Sequence, residues 1–355
     1  MNNKGYEIHI ISSPDETFDT YSSRYEFIPY GVSILRKFSL FKDIAALYKV
    51  CKYIRINRFQ VVVGHTPKGA LIGLLAAFLL RVPIRIYFRH GLVYETMKGI
   101  NRMIFKTVER ITAGMSTKVV CVSPSLGDKS LKDRLNPGHK QLHLSKGTCN
   151  GIDIEKFNRN NIDPLERKSL LTQLNISQHS FIVGFCGRLV VDKGIIELVK
   201  AFKSLQSEHN DLYLLLVGFY DNRDGLPRDI VYEIETNSHI INPGFVDHEK
   251  INLYYSIMDI FILPSFREGF GMSILEASAM GIPVITTRIT GCIDAIVENE
   301  TGIFVSNTEK SIKNALSDLI RDSKKRDYLG KNGRNFVELN FDPIKIWNEI
   351  EMLYH

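Results

Sequence analysis

Two cations and two carboxylates carry the chemistry that this sequence offers most plainly. Arg188 and Lys193 lie in GFCGRLVVDKG, where an apolar run gives way to a helical pattern. A guanidinium grips phosphate oxygens as a two-pronged fork and an ammonium acts as a point charge, so together they can neutralise a diphosphate. Glu268 and Glu276 lie eight positions apart in SFREGFGMSILEASAMGIPVITT. Between them, Gly269 and Gly271 leave backbone N–H groups open to an anion at a helix start, where the helix dipole adds about 0.3–1 kcal/mol. Carboxylates beside such a cradle repel the phosphate itself and suit the hydroxyls on either side of it, as an acidic residue does when it reads a ribose diol. Taken singly, the residues stay ambiguous. Glu268 reads equally as a loop charge, Glu276 as a charge on a helix surface, and the cations as solvated residues of a βα loop.

Positioning these groups is the task of an alternation of β-rich runs and helical patterns that fills nearly the whole chain and signals parallel βα units. In the first half the runs are 7–12, 25–30, 61–65, 84–90, 118–123 and 141–147; in the second they are 181–189, 212–218, 240–245, 260–265, 283–288 and 302–305. Both halves therefore read as doubly wound α/β domains. At 355 residues two domains are the natural division. The first spans 1–150 and the second 169–340, joined by the polar, turn-rich stretch 151–168, and a C-terminal helix at 341–355 is expected to pack back on the first domain.

Charge divides unevenly. Residues 1–150 hold 23 Lys and Arg against 10 Asp and Glu, and the remainder hold 22 against 29. A basic first half suits an anionic partner such as phospholipid, lipid-linked phosphate or nucleic acid, or else is a solvated basic face. Between Lys42 and Phe59, Ile44, Leu47, Cys51 and Ile54 fall at helical spacing with Lys49, Lys52, Arg55 and Arg58 around them. That helix reads either as a surface helix packing its stripe on the sheet or as a membrane-surface element. The apolar run Gly69–Leu80 would make roughly 18 Å of helix against a hydrocarbon core of about 30 Å, so it reads as a buried helix. Five scattered cysteines (51, 121, 149, 186 and 292) form no C-x-x-C, which indicates neither a disulfide framework nor a zinc site and fits a reducing cytoplasm. No aromatic-basic recognition module supports nucleic acid.

GRLVVDKG, followed about 80 residues later by EGFGMSILE and then by GIPVITT and TGIFV, resembles the family 4 glycosyltransferases of the GT-B fold. In the first half, HTPKGALIGLLAAFLLRVPIRIYFRHGL, VCVSPSL and GTCNGID are similar to bacterial members that build capsule, lipopolysaccharide O-antigen and other lipid-linked oligosaccharides. The resemblance implies two Rossmann-like domains facing a central cleft. It implies Arg188 and Lys193 as diphosphate ligands, with the backbone of Gly269, Phe270 and Gly271 on phosphate and sugar. Glu276 would hold the ribose hydroxyls and Glu268 those of the transferred sugar. His90, in RHG, matches a histidine that faces the donor sugar, although a lone strand-end histidine is otherwise more often structural. Gly244, Phe245 and Val246 match the loop whose backbone meets the nucleobase edge.

The expected reaction is transfer of a hexosyl or N-acetylhexosaminyl group from a UDP-sugar, rather than a GDP-sugar, to an undecaprenyl-diphosphate-linked saccharide. No D-x-D occurs in the chain, so the cations are expected to replace a metal, and no cofactor is expected. The family implies retention of anomeric configuration, by a same-face displacement in which the leaving phosphate helps to deprotonate the acceptor. The enzyme is expected in the cytoplasm, peripheral on an anionic inner membrane face. Members usually begin with a strand, a glycine loop and a helix ahead of the stretch resembling NKGYEIHIIS. The first domain is expected to lack that unit. This leaves two alternatives, a UDP-sugar epimerase of the same fold and an inactive, N-terminally truncated binding protein.

Overall fold

A computed structural model of the chain describes residues 4–35, 39–221 and 224–355. It divides into two compact units, one of Met1–Leu144 together with Trp347–His355 and one of Ser145–Ile346.

The first unit begins with β1 (His9–Ser12), α1 (Glu16–Tyr25) and β2 (Ile28–Gly31), continues with α2 (Leu40–Asn57), β3 (Val61–His65), α3 (Pro67–Leu79), β4 (Ile84–Arg89) and α4 (Gly99–Met115), and then β5 (Lys118–Cys121), α5 (Pro124–Lys132) and β6 (Gln141–Leu142). The expected six strands are found, but among the described residues they pair as two parallel sheets, β1-β2 and β3-β4-β5-β6. The apolar run near Gly69 is α3, whose Ala70, Ile72, Leu74, Ala76 and Ala77 are buried. Among the described residues no helix is long and apolar enough to cross a membrane. One core cluster joins Val32, Ala46, Val50 and Ile54 to Ile72, Ala76 and Ala77. The inward face of α2 is therefore Ala46, Val50 and Ile54, with Leu47 and Cys51 packed beside it, whereas Ile44, expected on that stripe, is exposed. The chain's tail completes this unit: Lys118 Nζ donates to Leu353 O (2.7 Å), Lys4 pairs with Glu351, and the rings of Tyr6 and Tyr354 meet edge to face.

The second unit comprises α6 (Pro164–Gln173), β7 (Phe181–Cys186), α7 (Ile195–Gln206), β8 (Leu212–Val217), α8 (Arg228–Thr236), β9 (Ile240–Gly244), α9 (Ile251–Ser256), β10 (Ile260–Leu263), α10 (Met272–Ala279), β11 (Val284–Thr287), β12 (Gly302–Val305), α11 (Glu309–Arg321), α12 (Ser323–Asn340) and the start of α13 (Pro343–Met352). Its six strands form one parallel sheet in the order β12-β11-β10-β7-β8-β9. Strand order reverses between β7 and β10. In open α/β sheets that reversal leaves a crevice outside the strand carboxyl ends, and ligands bind there. The stretch 151–168, expected as a linker, belongs to this unit. Ile152 and Phe157 are buried, Ile152 N–H donates to Phe341 O (2.8 Å), and Arg334 and Asn252 side chains donate to the carbonyls of Phe157 and Lys156. Most of its polar residues face water, while two apolar anchors tie it down.

Candidate functional site

The β7 and β10 loops of the second unit, on either side of the strand-order reversal, hold the expected cations and Glu268, and Glu276 lies on α10 just beyond. After β7 the chain turns through Gly187 and Arg188 and makes one short 3-10 turn, Val191–Lys193, before α7. Gly194 links that turn to α7 at φ +71°, and a Cβ there would lie 2.0 Å from Pro264 O of the neighbouring loop. Only glycine meets both demands. After β10, Gly271 at φ +49° caps α10.

Hydrogen bonds knit the two loops together. Phe266 N–H donates to Asp192 O (2.8 Å), and Arg267 pairs with the Asp192 carboxylate at 2.6 Å. From the other side, Thr287 Oγ1 donates to Ser265 O (2.6 Å) and Asn307 Nδ2 to Pro264 O (2.6 Å). The site loops thus stand on rigid elements, which is what holding a substrate in one geometry requires.

Lys193 and Glu268 come together directly: the ammonium pairs with the carboxylate, which also accepts from Ser265 Oγ at 2.8 Å. Arg188 Nη1 pairs with the buried Asp221 at 2.9 Å. Both expected diphosphate ligands are therefore held by carboxylates of the same unit. Glu276, on α10, is fixed differently. Its Oε2 accepts from the phenol of Tyr255 at 2.8 Å, and His248 Nε2 lies 3.6 Å from its Oε1. His248 accepts in turn from Lys156 at 2.8 Å. Tyr255 is fully buried, and burial first, then Cys186 and Glu276, drives its phenol well above the usual range. Burial, reinforced by the same glutamate, pushes the Cys186 thiol up to about 12. Both stay protonated at neutral pH, so the phenol acts as a donor to the carboxylate.

Phe270 turns its ring into the core against Phe341, 5.5 Å between centroids, so only its backbone is available to a ligand. Gly244, at the end of β9, has φ +80°, and the next residue, Phe245, is exposed, its ring meeting that of Phe219 edge to face at 6.2 Å.

His90, in the first unit, follows β4 and is joined at 2.8 Å to His65, the last residue of β3. Their rings stack, and His65 also stacks on Phe88. Both residues keep an edge open to solvent, yet the packing around the rings disfavours the charged form. Burial, and then the neighbouring imidazole, lowers His65 to about 4, and burial lowers His90. Beneath them Arg89, wholly buried, pairs with Glu109 at 2.9 Å, and the Tyr87 phenol donates to the same carboxylate.

Tyr255, Asp221 and His65 are partners that sequence reading missed. His65 alone left a signal, because VVVGH ends on a histidine just as IRIYFRH does. Asp221 and Tyr255 reach their partners from separate elements.

Known proteins resemble this chain in sequence and in fold. The family described as "Glycosyl transferases group 1" matches residues 166–336, and "Glycosyl transferase 4-like" matches residues 1–123. A capsular polysaccharide biosynthesis glycosyltransferase, CapM, of Staphylococcus aureus is 33% identical over 100% of this chain and 91% of its own length. An Escherichia coli UDP-Gal:alpha-D-GlcNAc-diphosphoundecaprenol alpha-1,3-galactosyltransferase is 28% identical over 99% of this chain and 89% of its own. Among solved structures, Anabaena Alr3699/HepE in complex with UDP and glucose superposes with a TM-score of 0.80 at 19% identity, covering 97% of this chain and 90% of that one.

Proposed function

Since the chain belongs to the family 4 glycosyltransferases of the GT-B fold, we propose that it moves a hexosyl or N-acetylhexosaminyl group from a UDP-sugar to an undecaprenyl-diphosphate-linked saccharide in surface polysaccharide synthesis. The observation that carries this reading is the Lys193–Glu268 pair, which joins the two loops that flank the strand-order reversal, with Arg188 on the same loop as Lys193. The names of the two sequence relatives support a capsule-type product, a UDP donor and a lipid-linked acceptor.

In this reading donor binding is an exchange of ion pairs. Lys193 and Arg188 are held by Glu268 and Asp221, which spares the site an uncompensated cation. An entering diphosphate takes over both cations, with backbone N–H groups of Gly269, Phe270 and Gly271 adding donors at the start of α10. Glu268, released from Lys193, accepts from hydroxyls of the transferred sugar. Glu276 accepts from the ribose, and the Gly244, Phe245 and Val246 backbone meets the nucleobase. For His90 the reading rests on the RHG resemblance, which implies a histidine that faces the transferred sugar.

As the glycosidic bond breaks, negative charge develops on the leaving diphosphate where the two cations already stand, so they stabilise the transition state without a metal. The leaving phosphate oxygen accepts the acceptor hydroxyl's proton, and the new bond forms on the same face, with retention. The enzyme works at the cytoplasmic face of the membrane as a peripheral protein.

Calorimetric titration with UDP and GDP, in EDTA, tests the donor site. UDP should bind more tightly than GDP, and Glu276→Ala and Arg188→Ala should each abolish most of the affinity. Undiminished binding by both variants would remove the site from the second unit's loops. Coupling constants of the product anomer decide retention, and a product formed from UDP-sugar without acceptor would turn the reading to epimerisation.

A further inference from the structure

One histidine beside Glu276 has no role in the proposed transfer. His248 sits in the turn between β9 and α9, two residues beyond Val246. Asp247 shapes that turn: its side chain accepts from Glu249 N–H at 3.0 Å and its carbonyl from Lys250 N–H at 2.9 Å, local bonds of the kind that suit aspartate to turns. The His248 side chain is 70% exposed, yet its ring is anchored. Lys156 Nζ donates to Nδ1 at 2.8 Å, and the buried ring of Phe157 meets the imidazole edge to face, 6.0 Å between centroids. Both anchors come from the stretch 151–168, and Asn252 Nδ2 ties the carbonyl of Lys156 to α9 at 3.1 Å. The stretch that reads as a linker in the sequence thus holds a ring beside the carboxylate of α10.

Lys156 also fixes the tautomer. An ammonium only donates, so Nδ1 accepts, and the neutral imidazole carries its proton on Nε2. That nitrogen stands 3.6 Å from Glu276 Oε1, too far for a direct hydrogen bond. The other carboxylate oxygen, Oε2, is engaged by the Tyr255 phenol at 2.8 Å. A donor and an acceptor therefore stand side by side without joining, and one oxygen atom about 2.8 Å from each would complete both bonds. A hydroxyl has the proton that Oε1 takes and the lone pair that Nε2–H needs. A phosphate oxygen is repelled by the glutamate, and the CH2 of a deoxy sugar offers neither group anything.

We infer that His248 is a second ribose-reading residue, which with Glu276 grips one hydroxyl of the donor nucleoside and makes the site select ribose over deoxyribose. Glu276 accepts that hydroxyl's proton while His248 Nε2–H donates to its oxygen. A site built to bond a hydroxyl rejects the analogue that lacks it, because its own polar groups are then left without a partner. The inference rests on the proposed role of Glu276 at the ribose and adds to it a residue, a direction of donation and a selectivity.

Calorimetric titration of the full chain with UDP, 2′-deoxy-UDP and 3′-deoxy-UDP tests it. His248→Ala should weaken UDP binding by about three- to tenfold. With one of the two deoxynucleotides that loss should all but vanish, which names the hydroxyl. Two further variants separate binding from scaffolding. In His248→Gln the amide N–H reaches the place of Nε2–H and should restore most of the affinity; in His248→Asn the amide stops at the place of Nδ1, keeps an acceptor for Lys156 and should restore little. Rescue by asparagine alone, or an equal loss with all three ligands, would overturn the inference. Nitrogen-15 shifts of the ring at mildly alkaline pH should mark Nε2 as the protonated atom, and a proton on Nδ1 would overturn it as well. Glu276→Ala keeps the two ideas apart. UDP binding lost in Glu276→Ala but unmoved in His248→Ala sinks the role of His248 alone; UDP binding unmoved in Glu276→Ala sinks the ribose reading itself, and the role of His248 with it.

Discussion

Tyr255 gives its short hydrogen bond, 2.8 Å, to the Oε2 atom of Glu276, so its hydroxyl tests what that carboxylate does in the proposed donor site. Tyr255→Phe leaves the ring and removes the donor, which costs a charged hydrogen bond worth about 1.5–3 kcal/mol. UDP affinity should fall by about tenfold, and the loss should largely vanish with 2′,3′-dideoxy-UDP, whose ribose offers Glu276 nothing to accept. An equal loss with both ligands in calorimetry would make Tyr255 a packing residue. His65 makes a second prediction, in pH. Its folded value of about 4 lies below the ordinary 6.5, so between those values the unfolded chain binds the extra proton. Stability is therefore complete above about pH 6.5 and lost as pH falls towards 4. Urea midpoints across this range should drop more steeply for the wild type than for His65→Asn, and parallel curves would show that His65 titrates normally.

At the level of elements, Gly194 joins the cation loop to the glutamate loop. Gly194→Ala places a methyl against Pro264 O in a backbone conformation that alanine resists, a cost of roughly 2–4 kcal/mol. The urea midpoint should fall and UDP binding should weaken with it; an unchanged midpoint would mean the loops move apart freely. The sequence showed these loops more clearly than their boundaries. VVVGH and GIFV were legible as strands to the residue, because β-branched runs end there at turn residues. The run 181–189 was read too long, since Gly187, Arg188 and Leu189 extend an apolar pattern while the chain has already left the strand at Cys186. Arg188 is one of those loop residues, so the misplaced boundary falls in the proposed donor site. Ile44 was placed on the wrong side of α2 because apolar residues line both faces and periodicity alone cannot choose between them. The ion pairs of Lys193 and Arg188 were illegible for another reason: each partner comes from a distant loop, and only the sheet order brings it near.

The whole molecule is two units, of which the first is discontinuous in sequence, taking Trp347–His355 from the far end of the chain. Deleting those residues removes the buried Leu353 and the contacts of Lys4, Tyr6 and Lys118. That should cost about 2 kcal/mol or more, seen as an earlier urea transition, while UDP binding by the second unit stays intact. Loss of UDP binding would show that the tail supports the donor site. This arrangement also sets an order of birth. Synthesis delivers Leu144 about 200 residues before Trp347, an interval of about 10–40 s at ordinary ribosome speeds. Throughout it the second unit can assemble from a continuous stretch, whereas the first waits for its closing piece. A chain halted short of its last codons would carry a finished second unit and an unfinished first one, which makes the first unit the natural client of chaperones and the natural target of proteases.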